Sequence, residues 1–167
     1  RYEDADSVLE EIANTPVEKA TKRMQQLYAE PIKPELIVRR IKEIKDAGVV
    51  SCASLTPQRC QQYLPQIMEA ELDIFVIQGT VVSAEHVSKT SEPLNLKTFI
   101  RELDIPVIVG GCATYKGALH LMRTGAAGVL VGVGPGHACT TRGVLGIGVP
   151  QATAIADAKA ARMRHLD

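Results

Sequence analysis

Four short, nearly continuous apolar runs constrain this chain more than any other feature. They are VVSCASL (49–55), LDIFVIQ (72–78), PVIVG (106–110) and GVLVGV (128–133). Helix signals separate them. Thr56-Pro57 starts a helix to about 71, in which Pro65 predicts a kink. Asn95 caps a helix to 103, Thr114 caps one that Gly125 ends, and Pro150 opens the last. From residue 49 the order is therefore β-α-β-α-β-α-β-loop-α. Apolar strands alternating with capped helices predict an α/β fold, a parallel sheet covered by helices. Two architectures compete, a doubly wound open sheet and a (β/α)8 barrel. A barrel takes ~250 residues and eight strands, so four strands amount to about half of one.

The first 48 residues read as helices. One spans 4–13. Thr15-Pro16-Val17-Glu18 predicts a second, to about 28, with Thr15 as cap and Glu18 closing a capping box. Pro34 opens a third, with Ile37, Ile41 and Ile44 on one face and Gly48 as its stop. Arg39, Arg40, Lys42 and Lys45 read as its solvated face.

Bulk properties narrow the function. The chain has 167 residues, suited to one domain, with 46% hydrophobic residues and zero formal net charge. Zero net charge argues against nucleic acid or an anionic membrane as the main partner. No apolar run reaches membrane-spanning length, and the charged start RYEDADSVLEE has no signal-peptide core. The chain lacks a starting Met, which fits a partial chain. The cysteines Cys52, Cys60, Cys112 and Cys139 form no CxxC pair and read as reduced thiols in the cytoplasm.

In either architecture ligands meet the carboxyl ends of the strands. Four loops qualify, of which 132–150 is the richest. It carries Gly132, Gly134, Gly136, Gly143, Gly146 and Gly148 around GPGHACTTRG. Such backbone can turn N–H groups toward an anion or carbonyls toward a cation. Cys139 sits in its middle. A thiolate there is a nucleophile, which backbone N–H groups, Arg142 or a protonated His137 would stabilise, with Thr140 and Thr141 alongside. The competing reading is a half-buried cysteine without a role. Cys52 and Cys60 read as structural, Cys112 as packing, and His120 and His165 as ordinary helix residues. His86 is a candidate ligand residue. No His/Cys spacing matches a zinc site.

The segment 106–151 carries a denser pattern: strand, G-x-x-AT, helix, GA, strand, then G-x-GPG-x-x-CTTR and G-x-G-x-PQ. It resembles the IMP dehydrogenase/GMP reductase family, and most closely its CBS-less, IMP dehydrogenase-related branch of actinobacteria and cyanobacteria. The resemblance implies the central part of a (β/α)8 TIM barrel, about four consecutive βα units plus N-terminal helices, in a homotetramer. It places the family's nucleophile on Cys139 and its catalytic threonine on Thr141. It puts substrate contacts on Gly136, His137 and Gly111, and cofactor contacts on Gln78, Gly79 and Thr80. The carbonyls that hold K+ in the dehydrogenases would be those of Gly134, Gly136 and Cys139. The implied cofactor is NAD or NADPH, and the implied partner a purine nucleoside monophosphate: IMP, XMP or GMP.

Three positions depart from the family. His137 replaces a phosphate-contacting serine, Gln78 an aspartate, and Gly111 an asparagine. They leave three readings: NAD-dependent oxidation of IMP to XMP, NADPH-dependent reduction of GMP to IMP, and a silent purine-nucleotide-binding regulator. Residues 1–48 leave no room for a CBS pair. The chain is expected to be a fragment of one barrel domain, 1–167. It is expected to turn over negligibly alone, without the remaining strands and the flap.

Overall fold

The structure, a computed structural model, describes residues 1–84 and 94–167. The His86 expectation lies outside the described residues. The chain divides into two compact units: residues 1–49 with 65–71, and residues 50–64 with 72–167.

The first unit is helical: α1 (Ala5–Asn14), α2 (Val17–Ala29), α3 (Pro34–Asp46) and the last turns of α4 (Pro57–Glu69). Asp4 caps α1 by accepting the Ser7 N–H at 3.0 Å. The cap predicted for α2 does not form. The Thr15 hydroxyl donates to the Glu11 carbonyl at 2.7 Å, closing α1, and Pro16 begins α2 with no side-chain cap. One residue cannot serve both helix ends, and the open carbonyl one turn back in α1 takes it. Arg39, Arg40 and Lys42 are exposed, as the charge pattern predicted, with Arg39 and Arg40 paired to Glu43 at 3.0 and 2.7 Å, whereas Lys45 is half-buried and donates to the Glu71 carbonyl. Pro65 stays inside α4 without breaking it.

The second unit holds the sheet: β1 (Cys52–Leu55), β2 (Ile74–Gln78), β3 (Val107–Cys112) and β4 (Gly128–Val131), in the order β1-β2-β3-β4 and parallel throughout. The helices α5 (Leu96–Arg101) and α6 (Tyr115–Met122) join its strands. The short α7 (Thr141–Leu145) lies within the loop after β4, and α8 (Gln151–Leu166) ends the chain. This is the predicted α/β fold, a run of βα units of the barrel type. The predicted caps of α5 and α6 form, with Asn95 accepting the Thr98 N–H and Thr114 the Gly117 N–H, both at 3.1 Å. β1 is shorter than its apolar run, because Val49 and Val50 are exposed ahead of it. β3 runs two residues past its predicted end, and α7 interrupts a segment with no apolar period.

Phe75, Ile77, Val107 and Val109 are fully buried in the two central strands. Each side chain of this size contributes about 1.5–3 kcal/mol on burial. Ala154, Ala158 and Ala161 form the buried stripe of α8, and α8 packs on α6, which buries Ala118 and Leu121. Asp157 on α8 accepts the Tyr115 N–H at 3.0 Å, satisfying one orphan donor in the first turn of α6. At the opposite end of the strands, Ser51 is fully buried. Its N–H and hydroxyl donate to Asp73 Oδ2 at 2.7 and 2.8 Å. β1 and β4 are the edges of this sheet.

Candidate active site

Register brings the predicted site residues to the carboxyl ends of the strands. Gln78 pairs with Gly110, and Gly110 with Leu130, so β2, β3 and β4 end level with one another. The segment 78–80, Gly111 and the loop after Val131 all lie at that end of the sheet.

The pairing does not stop where the strands do. Gly79 N–H donates to the Gly110 carbonyl at 2.9 Å, Gly111 N–H to the Gly79 carbonyl at 3.0 Å, and Val82 N–H to the Gly111 carbonyl at 3.0 Å. The backbones of Gly79 and Gly111 are thus committed to each other. Exposed Gln78 and Thr80 flank them. Gly111 sits at a bulge between Gly110 and Cys112, and a Cβ there would lie 2.6 Å from the Gly132 carbonyl oxygen. No side chain fits this approach. The absence of an asparagine is therefore built into the backbone, and Gly111 acts as a close-approach residue.

The loop after β4 is closed at its base. Val149 N–H donates to the Val133 carbonyl at 2.9 Å. Val133, Ala113 and Ala154 form a small buried cluster against which Val131 and Val149 pack. Gln151 adds a strut, its Nε2 donating to the Val131 carbonyl at 3.0 Å. Residues 134–148 so form a compact excursion whose ends meet, the geometry of an Ω-loop. The sequence reading missed Gln151. Its signal is position: a long amide directly after the proline that opens α8 can reach the end of β4.

Cys139 stands on this loop, exposed. Its N–H donates to the Gly136 carbonyl at 3.1 Å, closing the turn 136–139, in which His137 is also exposed. Its Sγ lies 3.2 Å from Thr141 Oγ1. The thiol donates to that oxygen; in the thiolate the direction reverses. The Thr141 hydroxyl, foremost, then its backbone N–H, and then the charge of Arg142 hold the thiol below its ordinary range. Arg142 also reaches the Gly136 carbonyl through one guanidinium nitrogen, at 3.5 Å. Its stem fills the space a Gly148 side chain would need, with Cγ 2.2 Å from the position of a Cβ there. Gly134, with φ at +57°, passes the other side, a Cβ there lying 3.2 Å from the same Cγ.

The other cysteines separate clearly. Cys60 is fully buried, its S–H donating to the Thr56 carbonyl at 3.3 Å, and burial pushes its pKa up to about 12. Burial also raises Cys112, which is 4% exposed. Both are packing residues, as expected. Cys52 was expected within a strand in a structural role; it begins edge strand β1, where it is exposed rather than packed. His120 and His165 are exposed on α6 and α8. A cavity of about 260 Å³ opens beside the loop, walled by Val82, Cys112, Thr114, His120, Val133 and Ile147 among others. Among the described residues no group of three or more His, Cys, Asp or Glu could hold a metal ion, and no helix is long and apolar enough to cross a membrane.

Residues 13–166 match the IMP dehydrogenase / GMP reductase domain family. An "Uncharacterized oxidoreductase" of Mycolicibacterium smegmatis is 51% identical over 162 residues, covering 96% of this chain and 43% of its own length. The inosine-5'-monophosphate dehydrogenase of Pasteurella multocida is 39% identical over 98 residues, 59% of this chain and 19% of its own. The structure of an IMP dehydrogenase/GMP reductase-like protein from Corynebacterium glutamicum superposes over 100% of this chain and 44% of its own, with a TM-score of 0.88 and 41% identity. The chain spans less than half the length of the relatives it matches. It belongs to the IMP dehydrogenase/GMP reductase family.

Proposed function

We propose that the protein containing this chain is a purine-nucleotide oxidoreductase that oxidises IMP to XMP with NAD, through a covalent adduct on Cys139. The observation that carries this reading is the contact of Cys139 with Thr141. A binding protein needs no exposed thiol held toward its thiolate by a neighbouring hydroxyl, and a nucleophile does. This speaks against the silent-regulator reading.

Cys139 Sγ attacks C2 of the purine, forming a carbon–sulfur bond as the C2 hydrogen departs with its electron pair. A nicotinamide held at Gln78, Gly79 and Thr80 would supply the acceptor for that hydride. Water then adds at C2 of the thioimidate, the carbon–sulfur bond breaks, and XMP leaves with the thiolate restored and one proton of the water released to solvent. Thr141 serves twice: its hydroxyl stabilises the thiolate before attack and again on release. Exposed His137, in the turn beside the thiol, supports a donor to the nucleotide phosphate, and the Gly136 backbone shapes the same turn. Gln78 and Thr80, exposed at the end of β2, fit contacts to the nicotinamide ribose. Gly79 shapes that corner through its backbone. The homotetramer and cytoplasmic location implied by the family belong to this proposal.

A second reading, NADPH-dependent reduction of GMP to IMP, is favoured by one observation. The end of β2 presents the neutral Gln78 amide where the dehydrogenases have a carboxylate. Both reactions share the Cys139 adduct. The test uses the full-length protein, with Cys139→Ser as control. Absorbance of the reduced nicotinamide rises with IMP and NAD if the first reading holds, and falls with GMP and NADPH if the second does. Silence in both, with tight nucleotide binding, overturns the enzyme reading.

A further inference from the structure

The first two turns of α8 reach both loops of the site. Gln151, Ala154 and Asp157 follow one another at three-residue steps and lie on one side of the helix. The Gln151 Nε2 donates to the Val131 carbonyl at 3.0 Å, where the chain leaves β4 for the 134–148 excursion. Its Oε1 is buried against the next residue, and a Cβ on Gly132 would lie 2.7 Å from it. Asp157 Oδ2 accepts the N–H of Tyr115, the first residue of α6, at 3.0 Å. Between these two polar contacts Ala154 is fully buried against Ala113 and Val133. The Gly132 N–H donates to the Cys112 carbonyl at 2.8 Å. Past that bond one segment runs into α6 and the other into the Cys139 loop, and α8 contacts both. One helix face thus holds the foot of the Cys139 loop and the turn that follows Gly111.

We infer that this face of α8 is a two-point brace: Gln151 and Asp157 together fix the Cys139 loop relative to the Gly111 turn. Both are positioning residues, since each acts through backbone and not on a reacting atom. Gln151 holds the foot of the loop, Asp157 holds the turn, and the helix between them joins the two. The relation matters chemically. Two bound groups react when their atoms meet at about 3–3.5 Å, and a displacement of about 1 Å can cost about 10²-fold in rate. That the loop bears the nucleophile and the turn borders the cofactor rests on the function proposed above; the brace itself does not depend on which reaction is run.

The test uses the full-length protein without substrate, so a wrong reaction assignment does not affect it. Amide hydrogen exchange is followed in the wild type, Gln151→Met, Asp157→Ala and Asp157→Asn. Gln151→Met keeps the length of the side chain and removes its donor. It is expected to speed exchange about tenfold in 132–149 and about threefold in 113–117, with β2 unchanged. Asp157→Ala is expected to show the converse, about tenfold in 113–117 and about threefold in 132–149. Asp157→Asn retains an acceptor oxygen and is expected to stay within about twofold of the wild type. The inference is overturned if each variant loosens only its own segment, or if neither loosens any. Should a variant fail to fold, the wild type decides. Protection factors of the Tyr115 and Val149 amides are expected to agree within about threefold, as parts of one opening unit, and a wider gap overturns the brace.

Turnover adds a readout that a merely structural role would not move. With all variants folded, kcat is expected to fall about tenfold in Gln151→Met and Asp157→Ala while KM stays within about threefold, and Asp157→Asn recovers it. An unchanged kcat beside loosened loops overturns the positioning role. Absence of turnover in the wild type removes the reaction reading instead, and the exchange result then decides the brace.

Discussion

Cys139 Sγ and Thr141 Oγ1 lie 3.2 Å apart, two residues from each other across the start of α7. The hydroxyl is the foremost of the groups that favour the thiolate. Thr141→Val keeps the shape and removes the hydroxyl. The pH at which Cys139 becomes half-maximally alkylated by iodoacetamide is expected to move upward, because the thiolate loses its best donor. Alkylation at pH 7 slows accordingly. An unmoved midpoint would show that the contact does not hold the thiolate.

On the proposed covalent mechanism, Cys139→Ser in the full-length protein is expected to lower kcat by more than about 10³-fold, because an alcohol of high pKa replaces the thiolate. Nucleotide binding, read by calorimetry, should remain. A serine variant turning over at near wild-type rate would end the covalent reading.

Cys60 gives a stability prediction with a defined sign. In the folded chain burial pushes its pKa up to about 12, whereas an unfolded thiol ionises near ~8.5. The folded state therefore holds more protons between those values. The contribution is complete below the unfolded pKa and is lost as pH rises toward about 12. Urea midpoints of the wild type should fall with pH above ~8.5 more steeply than those of Cys60→Ala. Parallel slopes would contradict the burial.

Gly111→Asn would restore the residue usual in the family, yet it places a Cβ 2.6 Å from the Gly132 carbonyl oxygen. That oxygen is backbone, at the end of β4, and can move only with the sheet. A loss of about 1–3 kcal/mol is expected, measurable by urea denaturation, with reduced activity. A variant as stable as the wild type would mean that β3 and β4 separate readily here.

Ser51→Ala tests the other end of the strands. It removes the hydroxyl that donates to Asp73 Oδ2 at 2.8 Å and accepts the Asp73 N–H at 3.1 Å. A stability loss of about 1–3 kcal/mol is expected. The kcat should be unchanged, since the site lies at the carboxyl ends. A large fall in kcat at unchanged stability would move the functional edge.

Much of this molecule was legible in its residues. Apolar runs at 72–78 and 106–110 read as strands because both faces of a parallel strand are buried, so no alternation is needed. Asn95 and Thr114 read as caps because a short oxygen-bearing side chain ahead of a helix has one nearby donor to satisfy. Cys139 was legible as a candidate nucleophile in a glycine-rich loop with Thr140 and Thr141 alongside, and the family resemblance singled out Thr141.

Other features depended on neighbours that sequence distance hides. Thr15 had two helix ends within reach, and only the packed turn of α1 decided between them. Cys52 belongs to an apolar run, but its strand lies at an edge of the sheet, where burial depends on what pairs beside it. The bulge at Gly111, the strut from Gln151 and the position of the Arg142 stem all require β3, β4 and the loop to be brought together. The sequence alone determined the alternation of strands and helices and the chemistry available at the loop, because periodicity, capping and thiol reactivity are local. Only the tertiary structure decided which loop backbone groups pair and which glycines are obligatory, because those depend on backbone from distant parts of the chain meeting within a few ångströms.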